Sequence, residues 1–550
     1  MTSLAWIVEL DDPLLAASVD RLRRALADAG WADVDGAGAE ADVTLVWADR
    51  PLPAELAGRL ASRELRVVLA GATLASDGPS RTLVEAAGLV PGTATPVHDV
   101  RLRIGPDGHG SPSSGHEHAE GDHLDRHDHL VDRVLLVEKV ADDVEVLRTA
   151  SVGLRPQAVM TWRSETATGV WTLGTTPGSV DDPATLRTLL HLVRHATGTA
   201  DAPPVRVGLL GYGAIGHEHS RAARAVDGLL LTAVCDTAPS RLVAAEQAAP
   251  GIATTTDADA LLTRDDVDLV VVSTPPSTHA RWALRAIRAG KHVVVEKPFA
   301  IRTSEADEVL AEAATAGLLA VVYQNRRFDP DHLAVRRAVR SGALGEVFSV
   351  ETFVGGYGHP CNLWHSDEGV SGGAFYDWGS HVLDQILDLV PTGIEHVTAA
   401  AHKRRWFDVT NADHSRVTIR FVDGTEAEFV HSDLAAALKP RWFVLGTQGA
   451  LVGSWRTERI IGRTDIGTLA EDVLAPADSP PLLDLHHGDG SVTRLATPAA
   501  EPYAFHRELA DRLRLGLPMT VTAAQSRRVL SVMEAASASA EDGGRPVVPR

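Results

Sequence analysis

The stretch Val205–Gly216, VRVGLLGYGAIG, constrains this chain more than any other. An apolar run (Val205, Val207, Leu209, Leu210) meets Gly211, Gly213 and Gly216, and the helix-compatible segment Glu218–Val226 follows. This is G-x-G-x-x-G between a strand and a helix. The first glycine permits a tight turn, the second lets backbone N–H groups approach a pyrophosphate, and the third lets the helix pack on the strand. The helix N-terminus then faces the phosphates, with Ala214 and Ile215 at its start. A second apolar run, Leu229–Cys235, ends in Asp236, 20 residues after Gly216. A carboxylate there can bind the ribose hydroxyls of NAD and repel a 2′-phosphate, which puts NAD ahead of NADP. Arg241, five residues on, keeps NADP open.

The motif starts at residue 205 of 550, so other domains must surround it; a chain this long divides into two to four. Net charge is −21, which argues against nucleic acid or an anionic membrane as partner. Only Cys235 and Cys361 are present, too few for a disulfide framework and suited to a reducing cytoplasm. The N-terminus lacks the basic segment and apolar core of a signal peptide, and no apolar run is long enough for a membrane span.

Residues 1–199 read as an α/β domain. Strands are expected at Leu4–Leu10, Val43–Trp47 and Arg66–Ala70, and helices at Leu14–Ala29, Pro53–Ser62 and Asp181–Ala196. Such alternation implies a parallel sheet covered on both faces. Ala158–Trp162 and Gly169–Leu173 look like paired strands. Region 105–132 breaks the pattern with His109, His116, His118, His123, His127 and His129 among Gly, Ser, Pro and acids. Imidazoles and carboxylates could hold zinc or nickel, but the spacing fits no closed zinc pattern and the expectation is a His-biased loop without a metal site. Residues 200–204, DAPP within a small-residue stretch, form a linker.

After Asp236, helices are expected at Ser240–Ala249, His279–Ala289 and Ser304–Ala316, and strands at Val267–Ser273, His292–Val295 and Leu319–Tyr323. Thr274-Pro275-Pro276 breaks the first of these strands at its C-terminal end, where open α/β sheets place ligands. From residue 328 the pattern changes to α+β. Helices at Asp329–Ser341 and Gly372–Val390 accompany strands at Val347–Phe353, His396–His402, Ser415–Phe421, Glu426–His431 and Arg441–Leu445. Asp423-Gly424 is a hairpin signal. An open, mainly antiparallel sheet with helices on one face follows. Its other face would suit a homo-oligomer, a dimer or tetramer, or serve as a docking surface for the N-terminal domain.

Two resemblances accompany these readings. From about Pro204 onward the chain resembles the Gfo/Idh/MocA oxidoreductases, the group of glucose-fructose oxidoreductase and inositol dehydrogenase. The residues that carry this are VGLLGYGAIG, STPPSTHARWALRAIRAGKHVVVEKP, YQNRRFDP and SGGAFYDWGSHVLDQ, in that order. The first 199 residues resemble the ThuA-like family, with a flavodoxin-like fold, through His129-Leu130, VADDVE at 140–145, PQAVMTW at 156–162, GTTP at 174–177 and Asp181-Asp182-Pro183. No cysteine nucleophile stands there, so amidotransferase chemistry is not implied. The resulting architecture is a flavodoxin-like domain, a Rossmann domain at 205–327 and a substrate domain at 328–550.

The chemistry falls on a few residues. Lys297, in Glu296-Lys297-Pro298 at a strand end, can orient a reacting hydroxyl and stabilise developing charge. Asp377 and His381, spaced i, i+4 and matching the family's D-x-x-x-H, would share one helix face and point into the cleft. His381 could exchange the hydroxyl proton and Asp377 could tune both partners or hold a substrate hydroxyl. Thr274, Pro275, His279 and Glu296 are expected to join the glycines, Asp236 and Arg241 around the cofactor. Arg327, Trp364 and His365 are expected to meet the substrate, with Asp384 and Gln385 behind them. The expected activity is NAD(P)-dependent hydride transfer between nicotinamide and a secondary hydroxyl or ketone of a sugar, polyol or glycoside. Glycoside cleavage through a keto-sugar and a non-catalytic sugar sensor stay open as alternatives.

Overall fold

In the computed structural model, the described residues are 203–550 except 361–363, 456, 465–466, 475–480 and 499. In the first 202 residues they are the elements named below with their flanking turns and a few isolated positions. The chain forms two compact units: residues 1–204 with 508–518, and residues 205–507 with 519–550.

The first unit carries β1 (Ser3–Glu9), α1 (Pro13–Asp28), β2 (Ala32–Val34), β3 (Val43–Ala48), β4 (Val67–Ala70), β5 (Leu89–Ala94), β6 (His98–Ile104), β7 (His127–Asp132), β8 (Leu135–Val140), β9 (Glu145–Val152), β10 (Arg155–Arg163) and β11 (Thr168–Trp171). Nine of these strands form one sheet in the order β2-β1-β3-β4-β11-β10-β9-β6-β7. Pairings from β2 to β11 are parallel, as alternating strands and helices require. Beyond β11 they are antiparallel, so the all-parallel sheet holds for only half of it. The reason is connection length: two residues separate β9 from β10, enough for a hairpin but not for a crossover helix. Trp47 and Trp171 meet edge-to-face at 5.9 Å in the core, which Leu517 also joins.

The His-rich region is shorter than expected as a loop, because residues 127–132 are β7, paired along β6. His109, His116, His118 and His123 lie outside the described residues, as does the helix expected at Pro53–Ser62. Among the described residues no group of acidic, His or Cys side chains could hold a metal, and no helix is long and apolar enough to cross a membrane.

The second unit opens with a Rossmann half. Its elements are β12 (Val205–Leu210), α2 (Ala214–Ala225), β13 (Leu229–Cys235), α3 (Pro239–Ala248), β14 (Ala253–Thr255), α4 (Ala258–Leu262), β15 (Leu269–Val272), α5 (His279–Arg288), β16 (His292–Val295), α6 (Thr303–Ala316) and β17 (Ala320–Val322). The sheet is wholly parallel, in the order β14-β13-β12-β15-β16-β17. Strands covered on both faces need continuous apolar runs, and β15 (LVVV) is buried at every position. The strand order reverses between β12 and β15, the switch point outside which such sheets bind ligands.

The substrate half adds α7 (Pro330–Arg340), β18 (Val347–Gly355), α8 (Glu368–Ser371), α9 (Trp378–Leu389), β19 (Ile394–His402), β20 (His414–Phe421), β21 (Glu426–Ser432), β22 (Trp442–Gly446), β23 (Gly449–Ser454), the β24–β25 hairpin (Thr457–Thr464, Gly467–Leu474), β26 (Leu482–His487), β27 (Val492–Arg494), the start of α10 (Ala504–Leu515), whose residues from 508 on count with the first unit, and α11 (Ala523–Glu541). Eight strands form a sheet in the order β19-β20-β21-β18-β22-β23-β26-β27, antiparallel except for β18 beside β21. Burial alternates along β20, as expected of a sheet with one face on a core. Helices α9 and α11 cover that face, and α11 also packs on α6 and β17. One apolar core therefore runs through this unit, from Val272 through Val335 and Val382 to Phe421 and Met533.

Candidate active site

The glycine turn folds as its composition requires. Gly211 has φ +101°, and a Cβ on it would sit 2.5 Å from the Ser273 carbonyl oxygen. A Cβ on Gly216 would sit 2.5 Å from the Gly211 carbonyl oxygen, because the first turn of α2 lies against the turn itself. Gly213 differs: a Cβ there would meet nothing within 4 Å. The first and third glycines are thus demanded by the protein's own packing, and the second leaves open space in front of the α2 N-terminus. Open space of this kind, before a helix N-terminus, suits a pyrophosphate.

Asp236, 5% exposed, ends β13 and turns back to this loop. Its Oδ2 accepts from the Tyr212 N–H at 2.7 Å and its Oδ1 from the Ala238 N–H at 2.8 Å. Arg241 Nη1 donates to Oδ2 at 3.2 Å. The carboxylate is fixed beside the glycine turn before any ligand arrives. The glycines, the helix N-terminus and Asp236 together fit the adenosine and pyrophosphate of a dinucleotide.

Beyond the C-terminal ends of β15, β16 and β17 lies a pocket of about 310 Å³. Ile215, Thr274, His279, Glu296, Lys297, Trp364, His365, Asp377 and His381 line it, nine of the residues expected from the sequence. Lys297 Nζ donates to Asp377 Oδ1 at 2.8 Å. Asp377 is the N-cap of α9 rather than part of its first turn, and its side chain caps nothing. It is therefore free to meet Lys297 across the cleft, and the shared helix face expected for Asp377 and His381 becomes a cap and an inner turn. Enclosure in the cleft pushes the Asp377 carboxyl up, but the Lys297 ammonium outweighs it and holds the group below its usual range.

His381, on α9, is 8% exposed, and its Nδ1 has no hydrogen-bond partner. Burial, reinforced by Lys297, Arg326 and Arg441, keeps its pKa well below 6.5. It is a neutral imidazole at pH 7, able to accept a proton. Trp364 and His365 stack on each other with centroids 3.7 Å apart at the pocket wall. Asn411 Nδ2 donates to the His365 carbonyl at 2.7 Å and fixes that wall to the loop after β19.

Other expectations change. Arg327 is not in the pocket. It is 2% exposed and makes a bidentate pair with Asp384 at 2.8 and 2.5 Å, with Asp388 at 3.2 Å. Its neighbour Arg326 lines the pocket instead, with its guanidinium 4.8 Å over the Trp378 ring. Gln385 supports it by donating to the Arg326 carbonyl at 2.8 Å. Pro276 rather than Pro275 reaches the wall. His279 lies in the wall, but both its nitrogens are taken: Nδ1 is 2.7 Å from the Pro298 carbonyl and Nε2 2.7 Å from the Thr274 carbonyl. It braces the two loops rather than offering a polar atom to a ligand. Glu296 is likewise engaged, through Oε1 with His219 Nε2 at 2.8 Å. Glu218, Tyr323, Asn325, Ser371 and Tyr376 also line the pocket and were not foreseen. Tyr323, Asn325, Ser371 and Tyr376 carried a signal, their places inside the YQNRRFDP and SGGAFYDW motifs; Glu218 carried none.

Comparison with known proteins identifies both halves of this unit. Residues 205–324 match the profile of an oxidoreductase family with an NAD-binding Rossmann fold, and residues 332–452 match the GFO/IDH/MocA C-terminal domain. The chain is 25% identical over 354 residues to the NADP(+) scyllo-inositol 2-dehydrogenase of Bacillus subtilis, covering 63% of this chain and 96% of that protein. It is 31% identical over 253 residues to the inositol 2-dehydrogenase of Rhizobium meliloti, covering 45% of this chain and 74% of that protein. Among solved structures, an NAD-binding protein from Listeria innocua matches with a TM-score of 0.52 at 28% identity, over 62% of this chain and 96% of that one.

Proposed function

The chain belongs to the Gfo/Idh/MocA oxidoreductase family, and from that premise we propose that it interconverts a secondary hydroxyl and a ketone on a sugar, polyol or glycoside, with NAD favoured over NADP. The observation that carries the reading is the meeting of Lys297, Asp377 and His381 in one pocket beside a dinucleotide cradle. Inositol dehydrogenases among the relatives support a polyhydroxylated substrate.

The nicotinamide, when bound, supplies the hydride acceptor or donor. The protein's residues do the rest. Lys297 donates a hydrogen bond to the reacting oxygen and stabilises the negative charge that grows there. Asp377 holds the ammonium in place and accepts from a neighbouring substrate hydroxyl. His381, a neutral imidazole in the pocket wall, takes the hydroxyl proton during oxidation and returns it during reduction. Arg326 and the Trp364–His365 stack face the remaining hydroxyls.

The test is a panel of cyclitols, aldoses, glycosides and their keto forms, followed by nicotinamide absorbance with NAD and NADP in parallel. Turnover of at least one polyhydroxylated compound, with a higher kcat/KM for NAD, is the expected result. Turnover confined to simple alcohols or aldehydes would refute the substrate class.

A further inference from the structure

Behind Lys297 lies a buried chain of groups that the mechanism above does not use. Glu296, at the end of β16, is 6% exposed, His219 of α2 is 1% exposed and His506 of α10 is 3% exposed. Glu296 Oε1 is 2.8 Å from His219 Nε2, and His219 Nδ1 is 2.9 Å from His506 Nε2. The second carboxylate oxygen, Oε2, accepts from the Lys297 N–H at 3.1 Å. The chain ends at His506 Nδ1, which is buried and has no partner.

That orphan atom fixes the direction of every proton in the chain. A buried N–H without an acceptor is rare in folded proteins. The His506 proton therefore belongs on Nε2, where it is donated to His219 Nδ1. His219 is then left with its proton on Nε2, donated to Glu296. Burial keeps the His506 pKa well below 6.5, in keeping with a neutral ring. Both donors at Glu296, the His219 ring and the Lys297 backbone, point at the carboxylate.

The packing holds this arrangement rigidly. The Tyr323 ring packs at a tilt against His219 at 4.5 Å and His506 at 5.1 Å, and edge-to-face against Phe505 at 5.0 Å. Tyr503, just before α10, is the one non-glycine residue with positive φ among the described residues, at 59°. Backbone in that region is strained for a side-chain-bearing residue. The strain sits where the chain turns to insert Phe505 and His506.

Glu296 also lines the pocket. Lys297 there is paired with Asp377, so its charge is already answered. Glu218 accepts from the Tyr323 hydroxyl at 2.7 Å. Glu296 is the carboxylate at the end of β16, on the β15-β16-β17 side of the switch point. In a sheet of this order Asp236, on the β13 side, marks the adenosine half, which leaves the β16 side for the nicotinamide.

We propose that Glu296, oriented by His219 and His506, is a fixed anion in the nicotinamide wall that favours the oxidised, cationic ring over the reduced, neutral one. His219 and His506 are positioning residues in this scheme: they touch no ligand and act by holding the carboxylate. The proposal rests on the nicotinamide reading of the pocket. A cation near a carboxylate in a water-poor site is stabilised far more than in bulk water, so the preference is felt in binding.

The experiment measures dissociation constants of NAD and NADH for the full-length protein by titration calorimetry, without substrate, for wild type, Glu296→Gln and His506→Asn. Glu296→Gln keeps the shape and one acceptor but removes the charge. It is expected to weaken NAD about tenfold relative to NADH. His506→Asn, which leaves the charge but loosens its orientation, is expected to move the same ratio in the same direction by a smaller factor. An unchanged NAD/NADH ratio in Glu296→Gln overturns the proposal, even if both affinities fall together. Should that variant not fold, the ratio in His506→Asn decides alone, and an unchanged ratio there is equally fatal. Wild-type protein that binds neither nucleotide would instead sink the nicotinamide reading itself, a separate outcome.

Discussion

Lys297 Nζ and Asp377 Oδ1 lie 2.8 Å apart although 80 positions separate them in the chain. The ammonium comes from a parallel Rossmann strand and the carboxylate from the cap of a helix in the substrate half. The pair spans the candidate pocket and joins its two walls, one from each half of this unit.

Removing either member, or His381, should damage chemistry more than fold. Lys297→Ala, Asp377→Asn and His381→Ala are expected to lower kcat by roughly 10²–10⁴, the range for a positioned acid–base or electrostatic group. Circular dichroism and nucleotide binding should stay near wild type. Wild-type kcat in both Lys297→Ala and His381→Ala would show that the site is elsewhere.

The pH profile of oxidation follows from His381. The neutral imidazole is the active form, and burial moves its pKa well below 6.5. Protonation on acidification removes the base, so kcat should fall on an acid limb that lies below pH 6.5, with no loss between about pH 6.5 and 8 from this group. Asp377, held low by Lys297, stays ionised across that window. An acid limb centred at or above 6.5 would contradict the assignment.

The three glycines should separate by effect. Gly213→Ala adds a methyl to open space in the apo protein and should leave the melting temperature within a degree or two while weakening NAD binding. Gly216→Ala drives a Cβ onto the Gly211 carbonyl and should destabilise by about 1–3 kcal/mol, the usual scale of overpacking. Thermal melts with and without NAD distinguish the two. Equal melting temperatures for both variants would mean that the turn relaxes freely.

Two adjacent arginines should give opposite phenotypes. Arg327→Ala leaves Asp384 buried without its partner and should cost about 3–5 kcal/mol of stability. Arg326→Ala should fold normally and raise KM for substrate, because its side chain faces the pocket. Denaturant melts and steady-state kinetics on both variants read this directly.

Much of this protein is legible in its residues because the constraints are local. A turn that admits only Gly211 and Gly216, a carboxylate at a strand end and a buried Val run can each be read from a dozen neighbouring positions. The Rossmann half, the antiparallel sheet and the lysine of Glu296-Lys297-Pro298 follow from them. The antiparallel part of the first unit's sheet was less legible, since it depends on which strands find each other and not on strand propensity.

What the tertiary structure alone decided is who faces whom. Nothing in Asn325-Arg326-Arg327 says which guanidinium is buried; Asp384 and Asp388, from a helix 57 and more positions away, settle it by capturing Arg327. His279 and Glu296 stand where a cofactor contact is expected, yet backbone carbonyls and His219 claim their polar atoms. His506 reaches His219 across 287 positions. A buried polar group must find its partner wherever the fold brings one, and that requirement acts over distances in space that the order of residues does not record.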